Sequence, residues 1–172
     1  MKSVSLTGVE RQFEDDEIIV SKTDLKGRIT YSNDVFMRIS GYRESELLGQ
    51  PHSIVRHPDM PRSVFKLLWD TIEARKEIFA YVLNRSKNGD HYWVFAHVTP
   101  DVDAAGRIVG YHSSRRTTDP RALDAVKPLY ASLRDEEHRH ANRKDGMHAA
   151  TEMLLTQLNK LGLNYDQFVL GL

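Results

Sequence analysis

The chain has 172 residues and carries 24 Lys and Arg against 24 Asp and Glu, so it has no net formal charge and no general electrostatic pull toward nucleic acid or an anionic membrane. It contains no cysteine, which excludes disulfides, thiolate metal sites and thiol catalysis. The 40% hydrophobic content can fill a core, no apolar run approaches the ~18 residues of a membrane span, and the polar start lacks an apolar signal core; one cytoplasmic domain with an appendage is expected.

Residues 1–16 read as a loose polar arm, with a short helix over Val9 to Phe13. "EIIVSKTD" (17–24) and "RITYSN" (28–33) read as two strands joined by a turn through Gly27, a hairpin. Asn33 or Asp34 caps a short helix, "DVFMRIS", whose Val35, Phe36 and Ile39 suit a buried face. "RESELLG" follows as another short helix, with Ser45 as cap and Gly49 as stop.

Then comes "HSIVRHPDMPRSVFKLLWD" (52–70), in which Pro61 suits a first helical position and Val64, Leu67, Leu68 and Ile72 recur at helical spacing. Three strands follow: "FAYVLNRSK", "DHYWVFAHVTP" after an Asn88-Gly89 turn, and "RIVGYHSSRRTT" after "DAAGR". Asp119-Pro120 breaks the pattern. Leu123, Val126, Leu129, Tyr130 and Leu133 then follow helical spacing, and the rest is helical with a weak point at Gly146. The order predicts an α+β domain with a five-stranded antiparallel sheet, helices on one face and a C-terminal helical extension, divided as arm 1–16, domain 17–119 and helical segment 120–172.

The chemistry concentrates at Arg56, His57 and Asp59. Arg56 offers a planar donor fork suited to a pyrophosphate or carboxylate, His57 can stack, donate or accept, and Asp59 can cap the helix after Pro61, whose free N–H groups also suit an anion. On the residues alone, a plain cap and a surface charge explain Asp59 and Arg56 as well. A catalytic triplet is the weakest reading, because no Ser nucleophile elbow accompanies it and three residues so close in a turn do not easily converge on one atom. On the strand over 91–99, Tyr92, Val94, Ala96 and Val98 share a face whose small members leave room for a flat ring. Trp93, Phe95 and His97 share the other face; the arm, the C-terminal helix or a second subunit must cover it, and homodimerisation through it is the expectation. An inward Asn84 can pair with the polar edge of a ring or cap the coming turn, Asn33 has a similar choice, and Trp69 is core or ring wall.

Residues of about 17–130 resemble the flavin-binding PAS domain of bacterial aerotaxis receptors, on "TDLKGRITYSND", "SGYRESELLGQPHSIVRHPDMP", "NRSKNGDHYWV" and "VKPLY". The resemblance implies a PAS fold, a noncovalent FAD between the sheet and the helical middle, and redox or oxygen sensing without substrate turnover, passed on to a chemotaxis or other signal-transducing partner. It carries FAD-binding positions onto Arg56, His57, Asp59, Asn33, Trp69 and Asn84. Phe79 stands where the family often has Trp. The chain reads as a stand-alone sensor, a piece of a longer protein or the partner of a separate transducer. Light-sensing flavin relatives need a thiol for their covalent adduct, which this chain lacks. The competing readings are a haem-binding module, with His52, His57 or His112 as axial ligand, and a cofactor-free interaction module. His138, His140 and His148 lack metal-ligand spacing and read as a solvated helix face.

Overall fold

The computed structural model describes residues 4–172. Five strands form one antiparallel sheet: β1 (Ile19–Thr23), β2 (Ile29–Ser32), β3 (Ile78–Arg85), β4 (His91–Val102) and β5 (Ile108–Arg116), in spatial order β2-β1-β5-β4-β3. All five expected strands are present. Between β2 and β3 run α1 (Asp34–Ser40), α2 (Glu44–Leu47), a 3₁₀ turn (His52–Val55) and α3 (Arg62–Glu73). After the sheet come α4 (Pro120–His138), α5 (Arg143–Lys160) and α6 (Tyr165–Leu170).

Register decides what each face carries. Ala96 pairs with Arg115 and Val98 with Ser113, while Ile19 pairs with Arg115 and Ser21 with Ser113. The inner face therefore presents Ser21, Ala96, Val98, Ser113 and Arg115 to the helical middle. Buried Phe36, Ile39, Leu47, Val55, Val64 and Ile72 close that side. The opposite face carries Tyr81, Leu83 and Trp93, all buried. Here α4 supplies the cover: the Tyr130 ring lies 6.1 Å from that of Trp93, and its hydroxyl donates to the Tyr81 carbonyl at 2.6 Å. The aromatic face from which homodimerisation was expected is thus occupied by the chain's own α4, with α6 packed on β3 beside it.

Several local expectations change. Of the arm 1–16, residues 1–3 lie outside the described residues, and Val9 to Phe13 form no helix. Instead the arm is extended along β4: the Arg11 amide donates to the His91 carbonyl at 2.7 Å and the His91 amide to the Val9 carbonyl at 2.9 Å. Asp90 fixes it, accepting from Thr7 Oγ1 at 2.6 Å and Arg11 Nε at 2.8 Å, and these donors with Asn88 hold its carboxyl down at about 2. The β3–β4 turn is a three-residue connection rather than a two-residue one. Ser86 pairs with Asp90, Asn88 uses its side chain on Asp90, and only Gly89 takes positive φ, at 99°, where a Cβ would lie 2.0 Å from the Ser5 carbonyl oxygen. α2 starts at Glu44, ahead of the expected Ser45 cap, because the Arg43 amide donates to the Glu46 carboxylate at 3.0 Å. Pro61 sits one residue before α3, not at its first position.

Both rims of the sheet carry partners. Along the outer edge of β3, the Phe79 amide donates to Asp166 Oδ1 at 3.2 Å, the Tyr81 carbonyl takes the Tyr130 hydroxyl, the Leu83 amide meets Met60 Sδ at 3.4 Å, and Arg56 bridges Asn84. On the other rim, Ile29 of β2 exchanges hydrogen bonds with Gly49 and Gln50.

Candidate functional site

Between the inner sheet face and α3 lies a cavity of about 630 Å³. That is within the roughly 300–1,000 Å³ of ligand pockets. Its existence follows from side-chain size: Ser21, Ala96 and Ser113 at the sheet centre cannot reach α3, whose Leu68, Trp69 and Ile72 form the facing wall. Trp69 meets Tyr111 of β5 edge-on, ring centres 5.4 Å apart. Phe65 of α3 lies under the Arg56 guanidinium at 4.3 Å.

The apolar slot has a polar inner end. Asn84 is 3% exposed and its Nδ2 has no hydrogen-bond partner among the described residues. Arg115 is 2% exposed; one guanidinium nitrogen donates to Ser21 Oγ, while Nε and Nη1 have no partner. No acidic side chain pairs with Arg115 among the described residues, and burial lowers its pKa to about 10. His52 joins the same group, its Nε2 3.0 Å from Ser21 Oγ and its ring stacked on Phe36. Burial, then the Arg115 charge, push its pKa down to about 3, so it is neutral. A buried cation and a buried amide with unused donors are costly to leave unpaired. Such an end suits a flat ligand whose edge accepts hydrogen bonds and bears or develops negative charge.

Past Arg56 the cavity adjoins a second cleft of about 350 Å³; Ser53, Arg56 and Arg62 line both. Arg85 of β3 and Arg134, Glu137 and Arg143 of the α4–α5 region complete the second cleft. His57 lines it too, with Nδ1 accepting the Asp59 amide at 3.0 Å. Burial lowers the His57 pKa, opposed by the nearby Asp59 charge.

Of the six residues singled out from sequence, the fold brings Arg56, Trp69 and Asn84 to the main cavity. A backbone bridge between Arg56 and Asn84 couples the first and last of these. His57 stands in the second cleft only. Asp59 lines neither; it pairs with Arg134 at 2.6 Å and does not cap α3. Glu137 from α4 takes that role, its Oε1 accepting from the Ser63 amide at 2.8 Å and Ser63 Oγ at 2.9 Å. Asn33 is committed to the backbone, capping α1 at the Phe36 amide, accepting from Val20 and donating to Ile18. Among the haem-ligand candidates, His52 and His112 line the cavity and His57 the cleft. Among the described residues, no three of His, Asp and Glu converge as metal ligands.

Sequence reasoning missed Arg115, Ser21 and Met147 of α5, all of which line the cavity. Arg115 was within reach of strand parity: counting alternate residues back from it to Ser113 and Tyr111 puts a cation on the same face as small and aromatic groups. No local signal predicts that Met147 crosses back to the site.

The family described as the PAS fold matches residues 29–115, about half of the chain. The chain is 47% identical over 119 residues to the aerotaxis receptor of Escherichia coli (strain K12), covering 69% of this chain and 23% of that protein. It is 28% identical over 103 residues to the nitrogen fixation regulatory protein of Klebsiella pneumoniae, covering 60% and 21%. The chain thus spans less than a quarter of the length of these relatives. Among solved structures, the dark state of the Aureochrome1 LOV blue-light photoreceptor superposes with a TM-score of 0.57 at 22% identity, covering 64% of this chain and 82% of that one. A light-oxygen-voltage domain studied with a flavin analogue gives 0.58 at 20%, covering 71% and 88%. No described helix is long and apolar enough to cross a membrane. By its matched residues, which run from β2 through β5, the chain belongs to the PAS-fold family.

Proposed function

We propose that this chain is a cytoplasmic redox or oxygen sensor that holds FAD noncovalently in the main cavity and signals by conformational change to a chemotaxis or other transducing partner, without turning over a substrate. One observation carries the reading: an apolar slot whose buried end holds two donors with no partner, Asn84 Nδ2 and the Arg115 guanidinium, and which opens at Arg56 onto a basic cleft. The apolar walls, Trp69 among them, suit an isoalloxazine face, Asn84 and Arg115 suit its polar edge, and Arg56 suits a phosphate on the tail. When bound, the flavin supplies a reversible change of charge and protonation at its ring. Arg115 favours added negative charge at the inner end, and Asn84 answers a changed acceptor by reorienting its amide. Because Asn84 is bridged to Arg56, that movement reaches the segment leading into α3. The partner, a second copy or a separate transducer, engages surface other than the aromatic sheet face that α4 and α6 occupy.

Absorption spectra before and after dithionite test the reading. Flavin bands in the blue and near ultraviolet that bleach on reduction, with FAD released on denaturation, are expected. Arg56→Ala is expected to lose the colour while keeping the fold. A Soret band, or a colourless protein that takes up no added FAD, overturns it.

A further inference from the structure

The second cleft gathers five guanidinium side chains: Arg56, Arg62, Arg85, Arg134 and Arg143. Against them the wall offers one carboxylate, Glu137, which already accepts from both donors of Ser63. Asp59 pairs with Arg134 from outside. The Nε atoms of Arg85 and Arg134 are buried without a hydrogen-bond partner among the described residues. The Arg56 charge is disfavoured first by burial and next by Arg62, so the cluster is not neutralised from within. A cluster of like charges with unused donors, enclosed between elements, is a seat for a polyanion.

Two of these arginines come from outside the matched family region, one on α4 and one at the start of α5. Three features fix the hairpin there. Glu137 caps α3, Tyr130 is tied to β3, and Gly146 lets α5 cross α4 so closely that a Cβ would stand 2.3 Å from the Glu137 carbonyl oxygen. The next residue, Met147, enters the wall of the main cavity. The same hairpin therefore touches both compartments.

We propose that the α4–α5 hairpin is part of the ligand site, with Arg134 and Arg143 joining Arg56 and Arg62 to bind a diphosphate, so that the C-terminal helices set the preference for a flavin dinucleotide over unphosphorylated flavin. This rests on the flavin reading above. It also makes ligand binding and hairpin docking one equilibrium: a ligand that bridges the two compartments holds the hairpin down, and a loosened hairpin loses the ligand.

The test compares riboflavin, FAD and inorganic pyrophosphate on the full chain, with and without the double substitution Arg134→Gln, Arg143→Gln. FAD and riboflavin affinities are read by flavin fluorescence, and pyrophosphate by calorimetry on flavin-free protein. The expected result is a loss of FAD affinity on the order of tenfold per arginine, an unchanged riboflavin affinity, and a matching loss of pyrophosphate binding. Equal loss for FAD and riboflavin, or no loss of FAD or pyrophosphate binding, overturns the proposal while leaving the flavin reading intact. Pyrophosphate binding that the substitutions abolish, in a protein that takes up no flavin, supports the seat and overturns the flavin reading instead.

Discussion

His52 gives the folded protein a dependence on pH that can be worked out before measurement. Its ring is held neutral beside Arg115, with a pKa near 3 against an ordinary value of 6.5. In the unfolded chain it takes up a proton below 6.5; in the folded chain it does not until about 3. Stability is therefore fully present above 6.5 and is lost as pH falls toward the folded value. Between pH 7 and pH 5 the loss from this one residue is about 2 kcal/mol. That is an upper figure, since His52 is half-buried and lines a cavity that water can enter. His57, also lowered by burial, adds in the same direction. Carboxylates such as Glu46 and Asp90, ordinarily at 4.5 and 3.8 and held near 2, lose their contribution only below the ordinary values, so the window from 7 to 5 belongs mainly to the histidines. The assay is urea unfolding of flavin-free protein at pH 7, 6 and 5 at constant ionic strength, for the parent and for His52→Gln. Each protein is referred to its own stability at pH 7, so the packing cost of the substitution cancels. The variant is expected to lose about 2 kcal/mol less than the parent across the window. If both lose the same amount, His52 is not held neutral and the account of the cavity's inner end fails.

Arg115→Met removes a buried charge that has no acidic partner, so flavin-free protein is expected to become more stable by roughly 1–3 kcal/mol in urea while FAD affinity falls; a variant that is clearly destabilised and binds FAD as well as the parent contradicts the role given to this side chain. Tyr130→Phe strands the Tyr81 carbonyl under α4 and is expected to cost about 1–3 kcal/mol, read as a lower urea midpoint at unchanged slope. Gly146→Ala forces α5 away from the Glu137 backbone, with an expected cost of about 1–3 kcal/mol and faster release of bound flavin; a variant as stable as the parent shows that the crossing is looser than the geometry implies.

The three strands along 78–116 were legible because alternation, β-branched content and turn residues agree there, whereas the order of the strands in the sheet was not predicted. The long middle helix was legible from Val64, Leu68 and Ile72, all three buried. Asn84 was singled out by its inward strand position, whereas Arg56, in the turn before α3, was singled out for its guanidinium and, like Trp69, by the family resemblance; all three line the cavity. What failed is what depends on partners far away in sequence. Asp59 looked like the cap of α3, but Glu137 reaches Ser63 across 74 residues, and no local pattern announces that. A short helix was expected over Val9 to Phe13 of the otherwise loose arm, but Asp90 and the β4 backbone offer that stretch hydrogen bonds that override its own preference. Trp93 correctly signalled a face needing cover, but the expected cover was a second subunit, whereas the chain's own α4 lies on it.

The partners along the rims of the sheet restrict how this molecule can associate. Strand-by-strand growth, in which an incoming chain continues the ladder, needs a row of free amides and carbonyls, and here the Phe79 and Leu83 amides and the Tyr81 carbonyl on one border and Ile29 on the other already have partners. Among the groups that cover the β3 border, Arg56 also lines the main cavity, so a change at the cavity's mouth and a change at that border involve the same segment.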